Sequence, residues 1–374
     1  MKKIFFSLVA LAALAACSKS EVEYTDQVQI GFAPVATNVT KSVAGVGNDG
    51  TYDPTFPTAL NLYIFANAQA NDLSESWPDA YLRNAKFIYN RADLTNTVYE
   101  GDPARYWPNV KSLIFAGYSN ACNIDDIANE SEVNFTDNTI SIKGYIQDNT
   151  KGYESTTNGE STTITTKPGA NDLMWFPYNG TAYTKSTGAV PAAMKHACSW
   201  ITVKVIGDNV TGDNYLLKEL KINGLKHKGD VVCRQITTTD PTTRETTISY
   251  KAEWDLDDVN NISYEILYNN STGSKFPKTG NDAIVFENYA NNMVVLPQTP
   301  TSIDVTYSFV PQEGITAITE TVTGLNLKVS DDALTNVWES GKHYVYTITI
   351  TATEILVAPA VAKWEDVTVT TPSI

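Results

Sequence analysis

The segment Lys342–Ile350, KHYVYTITI, constrains the fold more than any other stretch of this chain. Tyr344, Tyr346, Ile348 and Ile350 fall on one side of a period-two alternation, and Val345, Thr347, Thr349 and Thr351 on the other. Aromatic and β-branched residues alternating with Thr specify a half-buried β-strand. A second extended run, Ile355–Val357, is expected to be interrupted at Pro359. After Trp364 a last run, Val367–Thr371, ends at Pro372. The C-terminal end is therefore expected to hold a long strand, a Pro-marked bend and a short free-ended β segment. Such a segment can pair within its own sheet or with the edge of another molecule's sheet.

The same signals recur upstream. Gln27–Phe32 (QVQIGF) alternates and is expected to be the first strand, and Leu60–Phe65, Ala85–Tyr89, Val110–Tyr118 and Asn171–Phe176 are further apolar runs. Asn149–Gly169 is rich in Thr, Ser and Gly, which predicts a long loop or hairpin. From Ser199 onward strand-like runs follow one another, separated by Pro, Gly and Asn clusters at intervals of about 8–15 residues, the spacing of a β-sandwich. No helical stripe exceeds two or three turns. The fold class is all-β: two antiparallel β-sandwiches in tandem, over 27–188 and 189–374, with the boundary in the Gly/Thr-rich link Tyr178–Val190.

The N-terminus carries an address. Residues 1–16, MKKIFFSLVALAALAA, place two lysines before an apolar run too short to span a bilayer, the shape of a secretory signal. Leu14-Ala15-Ala16-Cys17 resembles the lipobox of bacterial lipoproteins, in which the cysteine is acylated and becomes the first residue of the mature chain. The alternative is an ordinary signal peptide with an incidental cysteine. Residues 17–26 are polar and form a tether. Of the remaining cysteines, Cys122, Cys198 and Cys233 match no disulfide framework or zinc spacing, and buried free thiols are expected.

The formal charge of −15 removes any electrostatic reason to bind nucleic acid or an anionic membrane surface. No G-x-S-x-G, P-loop, G-x-G-x-x-G or H-E-x-x-H motif occurs. His196, His227 and His343 lie far apart. His196 and Cys198 would share a face of a strand, yet no third and fourth metal ligand lies nearby. Asp125-Asp126, Asp257-Asp258 and Asp331-Asp332 do not follow the ligand spacing of a calcium loop. No catalytic residue, metal site or cofactor is expected, and the chain is not expected to be an enzyme. Trp175, Trp200, Trp254, Trp338 and Trp364 are expected to fill cores and caps, although exposed aromatics on a sandwich could instead stack on sugar rings.

Several stretches together resemble the fimbrillin family, subunits of the type V pili of Bacteroidetes (the Mfa-like and FimA-like group). They are the lipobox, Ser112–Tyr118 (SLIFAGY), Asn171–Met174 (NDLM) and Met194–His196 leading into Ser199–Val205 (SWITVKV). Leu220–Leu225 (LKINGL), Asn292–Gln298 (NMVVLPQ) and Trp338–Tyr344 (WESGKHY) through Trp364 follow, in the family's order and over nearly the whole mature chain. The resemblance implies two transthyretin-like sandwich domains, export as a lipoprotein anchored by lipid in the outer membrane, and assembly by donor-strand exchange. In that route a protease cuts beyond the first strand, the strand leaves, and a neighbour's strand fills the groove. Here the removable strand would be Gln27, Val28, Gln29, Ile30, Gly31 and Phe32, and the cut would follow Lys41. The donor would lie in 355–371, through Ile355, Leu356, Val357, Val361, Trp364, Val367 and Val369. The family's cut site is often Arg, whereas Lys41 is the only basic residue between Ala33 and Asp53. An uncut member would be an anchor that keeps its lipid, or a tip or accessory subunit.

The implied partners are other pilus subunits of the family and a host glycan or protein receptor. The competing expectation is a surface lipoprotein that binds carbohydrate and forms no polymer.

Overall fold

In the computed structural model the described residues are 28–36, 60–70, 81–89, 99–108, 111–121, 131–147, 153–158, 161–166, 173–207, 215–258, 261–267, 274–275, 284–286, 293–309, 316–332, 335–351 and 355–363. Among them every regular element is a strand, and the architecture is all-β with several sheets. In chain order the first strands are β1 (Gly31–Ala36), β2 (Leu60–Ala70), β3 (Leu82–Tyr89), β4 (Tyr99–Gly101), β5 (Lys111–Ala121), β6 (Glu132–Asn134), β7 (Thr139–Ile146), β8 (Tyr153–Asn158), β9 (Ser161–Thr166), β10 (Met174–Phe176) and β11 (Val190–His196). Then come β12 (Ser199–Gly207), β13 (Tyr215–Leu225), β14 (Lys228–Thr239), β15 (Thr246–Leu256), β16 (Ile262–Leu267), β17 (Ser274–Lys275), β18 (Ile284–Phe286), β19 (Met293–Val295), β20 (Ser302–Phe309), β21 (Ile318–Asn326), β22 (Lys342–Ile350) and β23 (Ile355–Lys363).

The N-terminal half closes on itself. β1, β11, β10, β5, β2, β3 and β4 pair in that order, and β4 returns to β1. The inward residues alternate along each strand, as a pleated strand requires: Leu62, Ile64, Ala66 and Ala68 on β2, and Leu113 and Phe115 on β5. The opposite faces of the same strands are buried too. Tyr63, Phe65, Ala116 and Tyr118 belong to a separate core layer with Ile140, Ile142 and Tyr145 of β7 and Val231 and Cys233 of β14. Burial on both sides explains why Leu60–Phe65 is so continuously apolar.

That middle layer is a four-stranded sheet, β15-β14-β7-β6, with two strands from each half of the chain. The C-terminal half adds two facing sheets. One runs β18-β12-β22-β23 with β19 also on β12, and the other β16-β13-β20-β21 with β17 also on β13. Their shared core holds Ile201, Val203 and Val205 against Leu217, Leu220, Ile222, Ile303 and Val305. Tyr344, Tyr346, Ile348 and Ile350 all point into it, as their alternation requires.

Several boundaries differ from the sequence expectation. β11 follows the expected link at Tyr178–Val190 yet pairs inside the barrel, with β1 and β10. From β11 the chain passes into the C-terminal sheets between His196 and Ser199. The expected first strand, Gln27–Phe32, begins at Gly31 and continues through Pro34 to Ala36, while Gln29 makes an isolated bridge to Tyr106. Pro34 is tolerated because β4 pairs only Gly31 and Phe32, so further along β1 has a ladder on one side. Pro359 does not interrupt β23, which runs on to Lys363, because it sits on an edge strand where the missing N–H costs no ladder bond. Asn149–Gly169 contains the hairpin β8–β9.

Candidate assembly surfaces

β1 is the seam of the barrel. It lies parallel to β11, from Phe32 opposite Val190 to Ala36 opposite Met194, and antiparallel to β4. Upstream, Ile30 N–H donates to Arg105 O at 2.8 Å, and Trp107 N–H donates to Val28 O at 2.9 Å. Val28 is exposed, whereas Ile30 and Phe32 are 0% exposed. Phe32 is the hub of the aromatic core: its ring is 4.9 Å from Phe87, 5.2 Å from Phe115 and 6.3 Å from Phe176. Taking this strand away would uncover a slot between β4 and β11 with apolar pockets at positions 30 and 32.

β23 is an edge strand. It pairs antiparallel with β22 through nine residue pairs, from Ile350–Ile355 to Lys342–Lys363, and among the described residues its other edge has no strand. Ile355 and Val357 are half-buried and pack against the sandwich core, while Pro359 and Ala360 are exposed. The candidate donor positions Leu356 and Val361 are placed by their backbone pairing to Thr349 and Tyr344. Cys17, Gln27, Lys41, Cys122, Trp364, Val367 and Val369 lie outside the described residues.

The candidate chemical groups take structural places. β11 ends at His196 and β12 begins at Ser199, so His196 and Cys198 do not share the continuous strand expected for them. Cys198 and Cys233 are buried in the middle layer. Burial raises the Cys233 thiol well above its ordinary pKa. His343 stacks on Trp200 at 3.5 Å and shares a 2.7 Å hydrogen bond with Thr202 Oγ1. Burial, helped by the positive charge of Lys204, lowers its pKa to about 4. Trp175, Trp200 and Trp338 are buried. Trp338 Nε1 donates to Tyr346 OH at 2.8 Å, and Tyr346 OH donates to Leu327 O at 2.7 Å. Among the described residues no three His, Cys, Asp or Glu side chains gather as a metal site.

A family model described as "Fimbrillin-like" matches residues 51–364. The chain belongs to the fimbrillin-like family. A prokaryotic membrane lipoprotein lipid attachment site matches residues 1–18, which contain Cys17. The fimbrillin-like chain is thus a surface-exposed lipoprotein or fimbrial subunit. Among solved structures, a fimbrial protein from Bacteroides vulgatus is similar at 14% identity and TM-score 0.50, covering 91% of this chain and 100% of its own. The tip fimbrial protein Mfa3 from Porphyromonas gingivalis, with C-terminal truncation, aligns at 11% identity and TM-score 0.34, covering 90% and 100%. The first likeness concerns the fold alone. No curated protein matches the chain.

The signal that sequence reasoning missed is the parallel β1–β11 pairing. It joins segments far apart in the chain, and no local pattern encodes which distant strand closes a barrel. Gln298 was visible only as part of a motif. Its amide accepts from Lys226 N–H at 3.0 Å and donates to Lys226 O and Leu296 O, each at 3.0 Å, pinning the loop between β13 and β14.

Proposed function

We propose that this fimbrillin-like chain is a pilus subunit built as two transthyretin-like domains, lipid-anchored through Cys17 in the outer membrane before assembly. It polymerises by protease-triggered donor-strand exchange and serves adhesion to a host glycan or protein receptor. The carrying observation is the position of β1: it is the first described strand, it closes the barrel, and, with Ile30 just before it, it brings two fully buried side chains, Ile30 and Phe32, to the core. A cut after Lys41 falls beyond Ala36, so it would free the whole of β1. The slot left behind would expose unpaired backbone of β4 and β11 and two apolar pockets, which an alternating strand fills with both hydrogen bonds and burial.

The donor is the segment 355–371. Ile355, Val357, Val361, Val367 and Val369 share one parity, matching the period of an inward-facing strand. Donating β23 exchanges its ladder with β22 for a ladder in the neighbour, so the backbone bonding is conserved and the apolar pockets supply the net gain.

The test pairs two variants of the mature chain, treated with a trypsin-like protease. Deletion of 355–374 abolishes polymers. The double substitution Val367→Asp and Val369→Asp, which leaves β23 intact, reduces them strongly. Polymers of normal length from the deletion variant would refute strand donation by this segment and favour a different subunit contact.

A further inference from the structure

The hairpin β14–β15 outruns the body of the protein. From Thr237 to Lys251 every residue is exposed, so both faces of its outer half are bare. It is nonetheless firmly built. Its ladder runs from Gly229–Leu256 to Thr239–Thr246 without a bulge, and at the tip Asp240 Oδ1 accepts from Thr242 N–H at 2.7 Å and from Thr243 N–H at 3.0 Å. Ile248 and Tyr250 are 51% and 42% exposed. They share a face of the strand with Ala252, and the Tyr250 ring lies against the outer wall of the barrel, 6.1 Å from the Trp175 ring and 4.6 Å from Lys195 Nζ. Tyr250 lines a narrow groove there with the exposed Pro191 and Ala193 of β11.

β15 is the edge of the sheet β15-β14-β7-β6, and among the described residues no strand lies beyond it. Two hydrogen bonds fix the direction of its edge groups. Ala252 N–H donates to Ser340 Oγ at 3.3 Å, away from β14. Gln235, the residue opposite Tyr250, donates its N–H to Asn138 O at 3.4 Å, away from β15. Ladder groups alternate along an antiparallel strand, so the N–H and C=O of Thr246, Ile248 and Tyr250 all face the open edge. Natural edges are blunted by proline, lysine or a bulge. Thr246–Tyr250, TTISY, has none of these, and its β-branched and aromatic residues favour extended backbone.

We propose that β15 is an interface with a second copy of this chain, pairing antiparallel with the partner's β15 about a two-fold axis through Ile248. Ile248 then lies opposite the partner's Ile248 and Thr246 opposite the partner's Tyr250, and each such pair exchanges two hydrogen bonds. Charge selects both the occupant and the register. Lys251 falls opposite the partner's Glu245, twice by symmetry, and opposite charges so placed stabilise a sheet. Glu253, which Lys251 now contacts, keeps its pairing with Arg234. Moving the axis one residue on, to Ser249, sets Glu245 against the partner's Glu253, a repulsive pair. A strand laid along this edge also covers the groove lined by Tyr250, Pro191 and Ala193. An isologous contact closes on two copies, so this one joins subunits, or the fibres they build, side by side and cannot lengthen a fibre. It uses neither β1 nor residues 355–371 and does not depend on strand exchange.

The test is sedimentation velocity on the signal-less mature protein without protease, over a concentration range reaching about 100 μM, where even a weak contact is populated. A monomer–dimer equilibrium is expected. Ile248→Pro removes the central outward N–H and spares the bonds to β14, so it abolishes the dimer and leaves the circular dichroism spectrum unchanged. Glu245→Lys weakens the dimer about tenfold or more, since two like-charge pairs replace two attractive ones. Adding Lys251→Glu to that variant restores it. The two charge variants keep the test decisive where the proline disturbs the arm. A protein monomeric throughout, a dimer indifferent to both Ile248→Pro and Glu245→Lys, or no rescue by the double variant would each overturn the proposal. Failure of protease-treated protein to polymerise would bear on strand exchange alone.

Discussion

The ring of Phe32 meets that of Phe87 edge-on, with 4.9 Å between centroids and 84° between planes. An N-terminal strand is thereby tied to β3, one strand beyond its ladder partner β4, by an aromatic contact that its backbone ladder alone would not supply. Phe32→Ala is expected to lower unfolding free energy by about 3–5 kcal/mol, the usual cost of emptying a buried aromatic site. Urea denaturation of the uncut protein measures it. A loss near zero would mean that β1 contributes little to the closed barrel.

In the sandwich core, Tyr346 OH links Trp338 Nε1 to the Leu327 carbonyl. Tyr346→Phe keeps the ring and strands both partners, so it is expected to cost about 1–3 kcal/mol. Because β22 stays packed, the far-UV circular dichroism spectrum should not change, and the loss is read from the denaturation midpoint.

His343 gives the fold a pH dependence of definite sign. Its folded pKa of about 4 lies below the ordinary 6.5, so the folded state favours the neutral ring. Its contribution is fully present above pH 6.5 and is lost as pH falls from there through about 4, to a total of about 3 kcal/mol. The difference in unfolding free energy between wild type and His343→Gln, measured at pH 7, 5 and 4, isolates this limb from the carboxylates. A difference constant with pH would contradict the assignment.

Cys198 and Cys233 are buried, and the Cys233 thiol is held protonated by burial. Iodoacetamide at pH 8 is expected to leave both unmodified in native protein and to alkylate both in urea. Mass spectrometry of the two tryptic peptides reads the result. Rapid native labelling of Cys233 would show that the middle layer opens.

The sequence made the all-β class legible wherever one face of a strand is buried and the other is wet. Lys342–Ile350 is the clearest case, since its alternation is the alternation of core and solvent. Sheet partners were not legible. β11 lies beyond a Gly/Thr-rich link that looks like a domain boundary, yet it completes the N-terminal barrel, because pairing with β1 satisfies backbone that the link cannot. The shared sheet β15-β14-β7-β6 was likewise invisible, as each of its hairpins carries the same local pattern whether it packs in its own half or across. Of the assembly elements, the first strand was visible four residues early, because alternation at Val28, Ile30 and Phe32 continues the pattern before the ladder begins. The extension through Pro34 and Pro359 was hidden, since proline signals a break unless the strand's neighbours on each side are known.

The most direct measurement treats the signal-less protein with a trypsin-like protease and follows it by mass spectrometry and by unheated SDS gel. A cut after Lys41, release of the peptide that contains β1, and a ladder of SDS-resistant polymers are expected. A chain that stays intact there, or is cut and remains monomeric with the β1 peptide still bound, would contradict assembly through the vacated slot.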